Sequence, residues 1–148
     1  MSISPATVAA VAIVVCAVAA VSAKGPTVKL TVSGGNLQAP VAVTSQPALV
    51  HVWSDDFIGA PSRQPRAELP RYQVAFHVLP NGRPDPRVLY VVTYAHDPVS
   101  GEAFIYLPGR GEEHYALNVS TILRDGRDGR WHRAVTAWAE ALKPSLPN

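Results

Sequence analysis

Residues 72–107, YQVAFHVLPNGRPDPRVLYVVTYAHDPVSGEAFIYL, hold three strand-like runs separated by two turn-rich segments, and their reading decides the fold. Val, Tyr, Phe and Ile dominate the runs, while Pro80 to Pro86 and Asp97 to Gly101 carry the residues that reverse a chain. An antiparallel meander follows. Pairing Val78 with Val88 sets Phe76 opposite Tyr90, Val74 opposite Val92 and Tyr72 opposite Tyr94. A loop of residues 97–101 then sets His96 opposite Glu102, Tyr94 opposite Phe104 and Val92 opposite Tyr106. Side chains alternate along a strand, so one face is expected to collect Tyr72, Phe76, Tyr90, Tyr94, Phe104 and Tyr106. The other face is expected to collect small and aliphatic residues, among them Leu89, Val91, Ala95, Ala103 and Ile105. Because both faces are apolar, the sheet needs cover on both sides, or on one side plus a partner or ligand.

Upstream, Thr27 to Ser33 alternates in β fashion, and Gly34-Gly35 supplies the freedom for a reversal into Leu37 to Thr44. This predicts a hairpin with Pro40 at an edge or bulge. Ser45 and Pro47 form a helix start, and Leu49, Val52, Trp53 and Phe57 follow at helical spacing, which predicts a helix over 47–58. Residues 59–71, with Pro61, Pro65, Pro70 and three arginines, read as an extended surface loop. Downstream, Tyr115, Leu117, Val119, Thr121 and Leu123 alternate with smaller or polar residues and predict a strand over 114–124. Two Asp-Gly turns follow, at Asp125-Gly126 and Asp128-Gly129. Val135, Trp138 and Leu142 make the apolar stripe of a helix over 133–143, ended by Pro144. The expected architecture is a single α+β domain over 24–148, with an antiparallel sheet of about four to six strands and two helices.

Before this domain, Ala6 to Ala23 is uncharged and almost wholly Ala, Val and Ile, and it stops at Lys24. The run reads as an export signal, residues 1–23, with Val21-Ser22-Ala23 as the small residues a signal peptidase accepts. A retained anchor is the alternative, because 18 residues at ~1.5 Å each span about 27 Å, near the hydrocarbon thickness of a bilayer. The absence of Leu makes it a weak span. Residues 1–5 lack the Lys or Arg of a standard signal, and Val15 stands where lipid attachment at Cys16 normally has a small residue. Cys16 is the one cysteine, so the cleaved product has no disulfide, thiol nucleophile or thiolate metal site. The expected location is periplasmic or extracellular, with membrane contact only if the segment is retained.

The formal charge of +2 is spread thinly, with acids interleaved among the bases, so no cationic stripe points to nucleic acid. Arg exceeds Lys, and Ala, Val and Pro are plentiful, a composition that suits a GC-rich bacterial genome.

The five histidines fall on different elements and make no paired ligand spacing. His77 reads as a satisfied or half-exposed sheet position. His96 and Asp97 end one strand while Glu112, Glu113 and His114 precede the next element. Strand ends can converge, and a His and carboxylate metal site is the enzyme reading of this cluster. Pro108-Gly109-Arg110-Gly111 can turn backbone N–H groups toward an anion with Arg110 beside them, but no helix start or Lys-Ser/Thr pair follows, so a tight turn is favoured. Asp125 to Arg130 lacks the alternating acids of a calcium loop. No nucleophile elbow is present, and the sequon pattern Asn118-Val119-Ser120 has no meaning in a bacterial strand. No catalytic residue, metal ligand or cofactor is assigned.

Ile105 to Gly111, followed by Tyr115 to Val119 and Arg124 to Trp131, resembles a family of uncharacterised exported bacterial proteins over the C-terminal third of the chain. The resemblance implies bacterial export and single-domain size and carries no activity. The function expected is that of a non-enzymatic exported binding or envelope-accessory protein, its partner unknown. Its candidate ligand residues are Tyr94, His96, Tyr106, Arg110 and His114, on the aromatic face or the rim formed by residues 96–114. The alternatives are a small hydrolase or metal-dependent enzyme using His96 and His114, and a membrane-anchored envelope protein.

Overall fold

A computed structural model describes residues 25–49, 54–118 and 126–147. In chain order the elements are β1 (Thr27–Gly34), β2 (Val41–Val43), α1 (Gln46–Leu49), β3 (Ile58–Pro61), β4 (Tyr72–Val78), β5 (Arg87–His96), β6 (Ala103–Leu107), α2 (Tyr115–Asn118), β7 (Arg130–Ala134) and α3 (Thr136–Leu142). All strands join one antiparallel sheet in the order β2-β1-β4-β5-β6-β7-β3. The α+β class agrees with the sequence reading. Seven strands and three helices among the described residues exceed the expected counts.

The extra strands have a physical origin. β7 is Arg130-Trp131-His132-Arg133-Ala134, in which the fully buried side chain is a histidine and its flanking neighbours are Trp and Arg. Hydropathy alternation does not reveal such a strand, and the expected helix over 133–143 shrinks to Thr136–Leu142. The expected helix over 47–58 is also cut back: α1 ends at Leu49, residues 50–53 lie outside the described set, and Ile58 already pairs with Ala134 in the sheet. The loop expected over 59–71 therefore begins with strand. At 115–118 the chain is helical rather than extended, and 119–125 lie outside the described residues.

Register decides which side chains share a face. β4 and β5 pair as read from Tyr72↔Tyr94 through Phe76↔Tyr90, but His77 then meets Val88 and Val78 meets Arg87. Leu89 is thus an extra residue, and this bulge turns its side chain toward the core, away from the face assigned to it from the sequence. The β5–β6 hairpin departs further. His96 pairs with Ala103, Tyr94 with Ile105 and Thr93 with Tyr106, one residue away from the expected register. A slip of one residue exchanges the two faces of a strand. The expected six-aromatic face is therefore divided: Tyr72, Phe76, Tyr90 and Tyr94 join Ile105 and Leu107 in the core, while Phe104 and Tyr106 lie on the opposite side.

The core side is roofed by α1, Phe57 and α3. Phe57 stacks on Tyr90 at 5.8 Å and 8°, Phe76 meets Tyr90 at 4.4 Å, and Trp138 lies edge-on to Tyr94 at 5.7 Å. These rings supply large buried apolar area and lock the helix to the sheet.

On the far side, residues 62–71 form a strap over one end of the sheet, with Pro65 and Leu69 buried. The Arg71 guanidinium donates to the carbonyls of Arg66, Leu69 and Pro65 at 3.1, 2.8 and 3.3 Å, and lies over the Trp131 ring at 5.1 Å. Elsewhere on this face polar residues such as Lys29, Thr31, Gln73 and His77 stand among the apolar Ala75 and Val91; a hydrogen bond of 2.8 Å joins Thr31 Oγ1 and His77 Nε2.

Where β6 stops pairing with β5, Pro108 has no N–H to continue the ladder. The fully buried Asn118 amide takes its place. It accepts the Val91 N–H at 2.9 Å and donates to the Val91 carbonyl at 2.5 Å. Asn118→Ala strands a buried donor and acceptor pair, and is expected to lower unfolding free energy by about 2 kcal/mol in urea denaturation. An unchanged midpoint would show that water replaces the amide without cost.

Candidate functional site

The five residues singled out from the sequence do not form one site. Tyr94 is fully buried beneath α3, and its hydroxyl has no hydrogen-bond partner among the described residues. Burial, with the nearby Glu140 carboxylate and Tyr72, pushes its phenol far above the ordinary range, so it stays neutral. Tyr94 is a core residue.

Tyr106 lies on the opposite side of the sheet. Its hydroxyl donates to the Glu112 carboxylate, 2.8 and 3.0 Å from the two oxygens, and its ring packs on Trp131 at 5.3 Å. Burial and the adjoining carboxylate push this phenol up to about 12. His114 shares with Tyr106 a shallow cleft of about 200 Å³, floored by Gln73 and Thr93. Its backbone is left-handed at φ 68°, and its ring stands 3.6 Å from Glu113.

Arg110 is exposed at the tip of the intervening loop. The loop is a turn: the Glu112 N–H donates to the Gly109 carbonyl at 3.0 Å, and the Glu112 carboxylate accepts the Gly109 N–H at 3.0 Å. An acid of the chain itself thus occupies the backbone donor that an anion-binding reading requires.

His96 lies at the other end of β6 and on the core side, where it meets more space than the other four candidates. Two cavities, of about 360 and 340 Å³, adjoin through a wall that His96 shares with Lys143. The larger has a mixed lining, in which Ser100, Glu102, Arg133, Thr136 and Glu140 alternate with small apolar residues such as Ala103 and Ala139. The smaller is bordered by Asn36, Pro70, Tyr72, Pro98, Leu146 and Pro147. Both volumes fall within the range of small-ligand sites. His96 and His114 line separate cavities on opposite sides of the sheet, and no group of three His, Cys, Asp or Glu suited to a metal occurs among the described residues.

The hairpin that positions His96 is closed by Asp97. Its N–H donates to the Glu102 carbonyl at 2.8 Å, and its carbonyl accepts the Gly101 N–H at 2.8 Å. Gly101 sits at φ 75°, a conformation that costs glycine little. The Asp97 carboxylate accepts from Arg66 Nε at 3.1 Å and Nη2 at 3.0 Å, and from the N–H groups of Val99 and Ser100 at 2.9 and 3.3 Å. Arg66, aided by those two amides, holds the carboxyl down at about 2.

Sequence reading singled out His96 but missed Lys143, Glu140 and Thr136. The signal was present: they recur at positions 136, 140 and 143, one polar face of a helix whose other face carries Trp138 and Leu142. Tyr72 joins the aromatic core as its alternation predicts, and its hydroxyl also donates to Asn36 at the mouth of the smaller cavity.

Compared with known proteins, the chain matches no family model, no curated protein and no solved structure.

Two outcomes follow from this chemistry. Tyr94→Phe removes an unsatisfied buried hydroxyl and is expected to raise stability by up to about 1 kcal/mol by urea midpoint; a clear loss would mean that the hydroxyl has a partner. The Asp97 carboxyl titrates lower folded than unfolded, so its contribution is complete above about pH 4 and is lost as pH falls through about 2. Asp97→Asn is therefore expected to be less stable than wild type at neutral pH, with the gap in urea midpoint closing between those limits. A gap that persisted at pH 2 would contradict the assignment.

Proposed function

We propose that this chain is an exported bacterial binding protein without catalytic activity, and that its ligand site lies at the His96 end of the sheet. The observation that carries the binding reading is the pair of adjoining cavities whose common wall is His96 and Lys143. Export rests on the sequence: the uncharged run Ala6 to Ala23 with small residues at its end, and the resemblance of the C-terminal third to exported proteins.

The placement of His96 and His114 favours binding over the hydrolase or metal-enzyme reading. That reading needs both side chains at one reacting centre, and they line different cavities. The envelope-anchored reading turns on residues 6–23, which lie outside the described set; among the described residues no helix is long and apolar enough to cross a membrane.

Expression of the full chain in a bacterial host, with fractionation and intact mass, is expected to yield a soluble periplasmic product beginning at Lys24. A membrane-bound product retaining Met1 would replace the export reading with the anchored one. The same preparation, assayed on ester, phosphoester and peptide substrates, is expected to show no turnover that His96→Ala or His114→Ala reduces. Turnover abolished by both variants would hand the function to the enzyme class.

A further inference from the structure

The smaller cavity has a lopsided lining. Pro70, Pro98, Leu146, Pro147 and the Tyr72 ring make it largely apolar; Lys143 is the cation among its lining residues, with the His96 imidazole beside it and no acid. Neither His96 nor Lys143 has an ion-pair partner among the described residues. The acids lie beyond that wall, in the larger cavity. There Glu102 is already paired with Arg133 at 2.5 Å and Arg63 at 3.2 Å, while Glu140 has no ion pair among the described residues. An ammonium at the edge of an apolar pocket attracts one negative charge, and its worth rises as water is excluded. Glu140 behind it opposes a second.

We propose that the cavity between the β5–β6 hairpin and the segment after α3 binds a small amphipathic monoanion, its charged head at Lys143 and His96 and its short apolar tail over Pro70, Pro98, Leu146 and Pro147. This inference rests on the binding reading above and adds the chemical class of the ligand. The apolar tail displaces water from the proline and leucine surface, and the head neutralises a cation that the fold leaves unpaired. Lys143 follows α3 directly, so the packing of Trp138 and Leu142 on the sheet fixes its position against His96.

The test is a titration of the isolated chain with octanoate, followed by the NMR signals of Tyr72, His96 and Leu146. Saturable shifts of all three are expected, with affinity reduced about tenfold in Lys143→Gln and in His96→Gln, the equivalent of ~1.4 kcal/mol. Octanamide, which keeps the tail without the charge, and acetate, which keeps the charge without the tail, are each expected to bind at least tenfold more weakly. Equal binding of octanamide, or full affinity in Lys143→Gln, would overturn the proposal, as would the absence of octanoate shifts. If octanoate fails while neutral fragments shift the same three residues, the ligand class falls and the binding reading stands. If no fragment in a screen shifts them, both fall.

Discussion

The closure of the β5–β6 hairpin at Asp97 is the constraint on which the rest of the structure depends. The Asp97 N–H and carbonyl bond to Glu102 and Gly101, so that His96 faces Ala103. The Asp97 carboxylate gathers the loop amides of Val99 and Ser100, and then Arg66 from the strap. One side chain thereby fixes the register of the hairpin and ties residues 62–71 across the sheet. With this register Tyr94, Ile105 and Leu107 join the core that α3 covers, and Phe104 and Tyr106 lie on the opposite face, beside Arg133 and Trp131. A shift by one position would drive Tyr106 into the aromatic cluster around Trp138 and turn Ile105 outward.

The two faces then meet different solvents. The helix side is a ring-on-ring core in which Phe57, Phe76, Tyr90, Tyr94 and Trp138 interlock. The far side is covered only in part, chiefly through Arg71 on Trp131 and the ion pairs that Glu102 makes with Arg133 and Arg63. Antiparallel sheets tolerate such asymmetry because one solvated face leaves the ladder intact. Space for a ligand appears at the boundary, where the hairpin projects past the end of α3 and its continuation. There Lys143 and His96 are brought together by elements more than forty residues apart in sequence.

Much of this was legible in the residues. The alternation in 27–33 and 72–107 located β1, β4, β5 and β6, and the pairing of Tyr72 through Phe76 with Tyr94 through Tyr90 followed from loop length and pattern alone. What escaped was local and physical. A bulge at Leu89 leaves no hydropathy mark, since a leucine suits either face. The hairpin register depended on whether Asp97 belongs to the loop or to the closing pair, and its carboxylate bonds to Val99, Ser100 and Arg66 are not visible in periodicity. β7 was hidden because it buries His132, for which neither ring nitrogen makes a well-formed hydrogen bond among the described residues; burial lowers the pKa of this imidazole, partly offset by the Arg130 backbone. Of the candidate site, His96 was found from the sequence, whereas Lys143 was not. It sits in a helical extension whose polar face reads as solvated surface until the hairpin is placed against it.

Cross-strand proton contacts between β5 and β6, read by nuclear Overhauser spectroscopy, decide the hairpin register directly. Closure at Asp97 predicts backbone contacts of Thr93 with Tyr106 and Ala95 with Phe104, and ring contacts from Tyr94 to Trp138. Contacts of Tyr94 with Phe104 and Val92 with Tyr106 would contradict it. They would restore a single aromatic face and turn Ile105 and Leu107 out of the core.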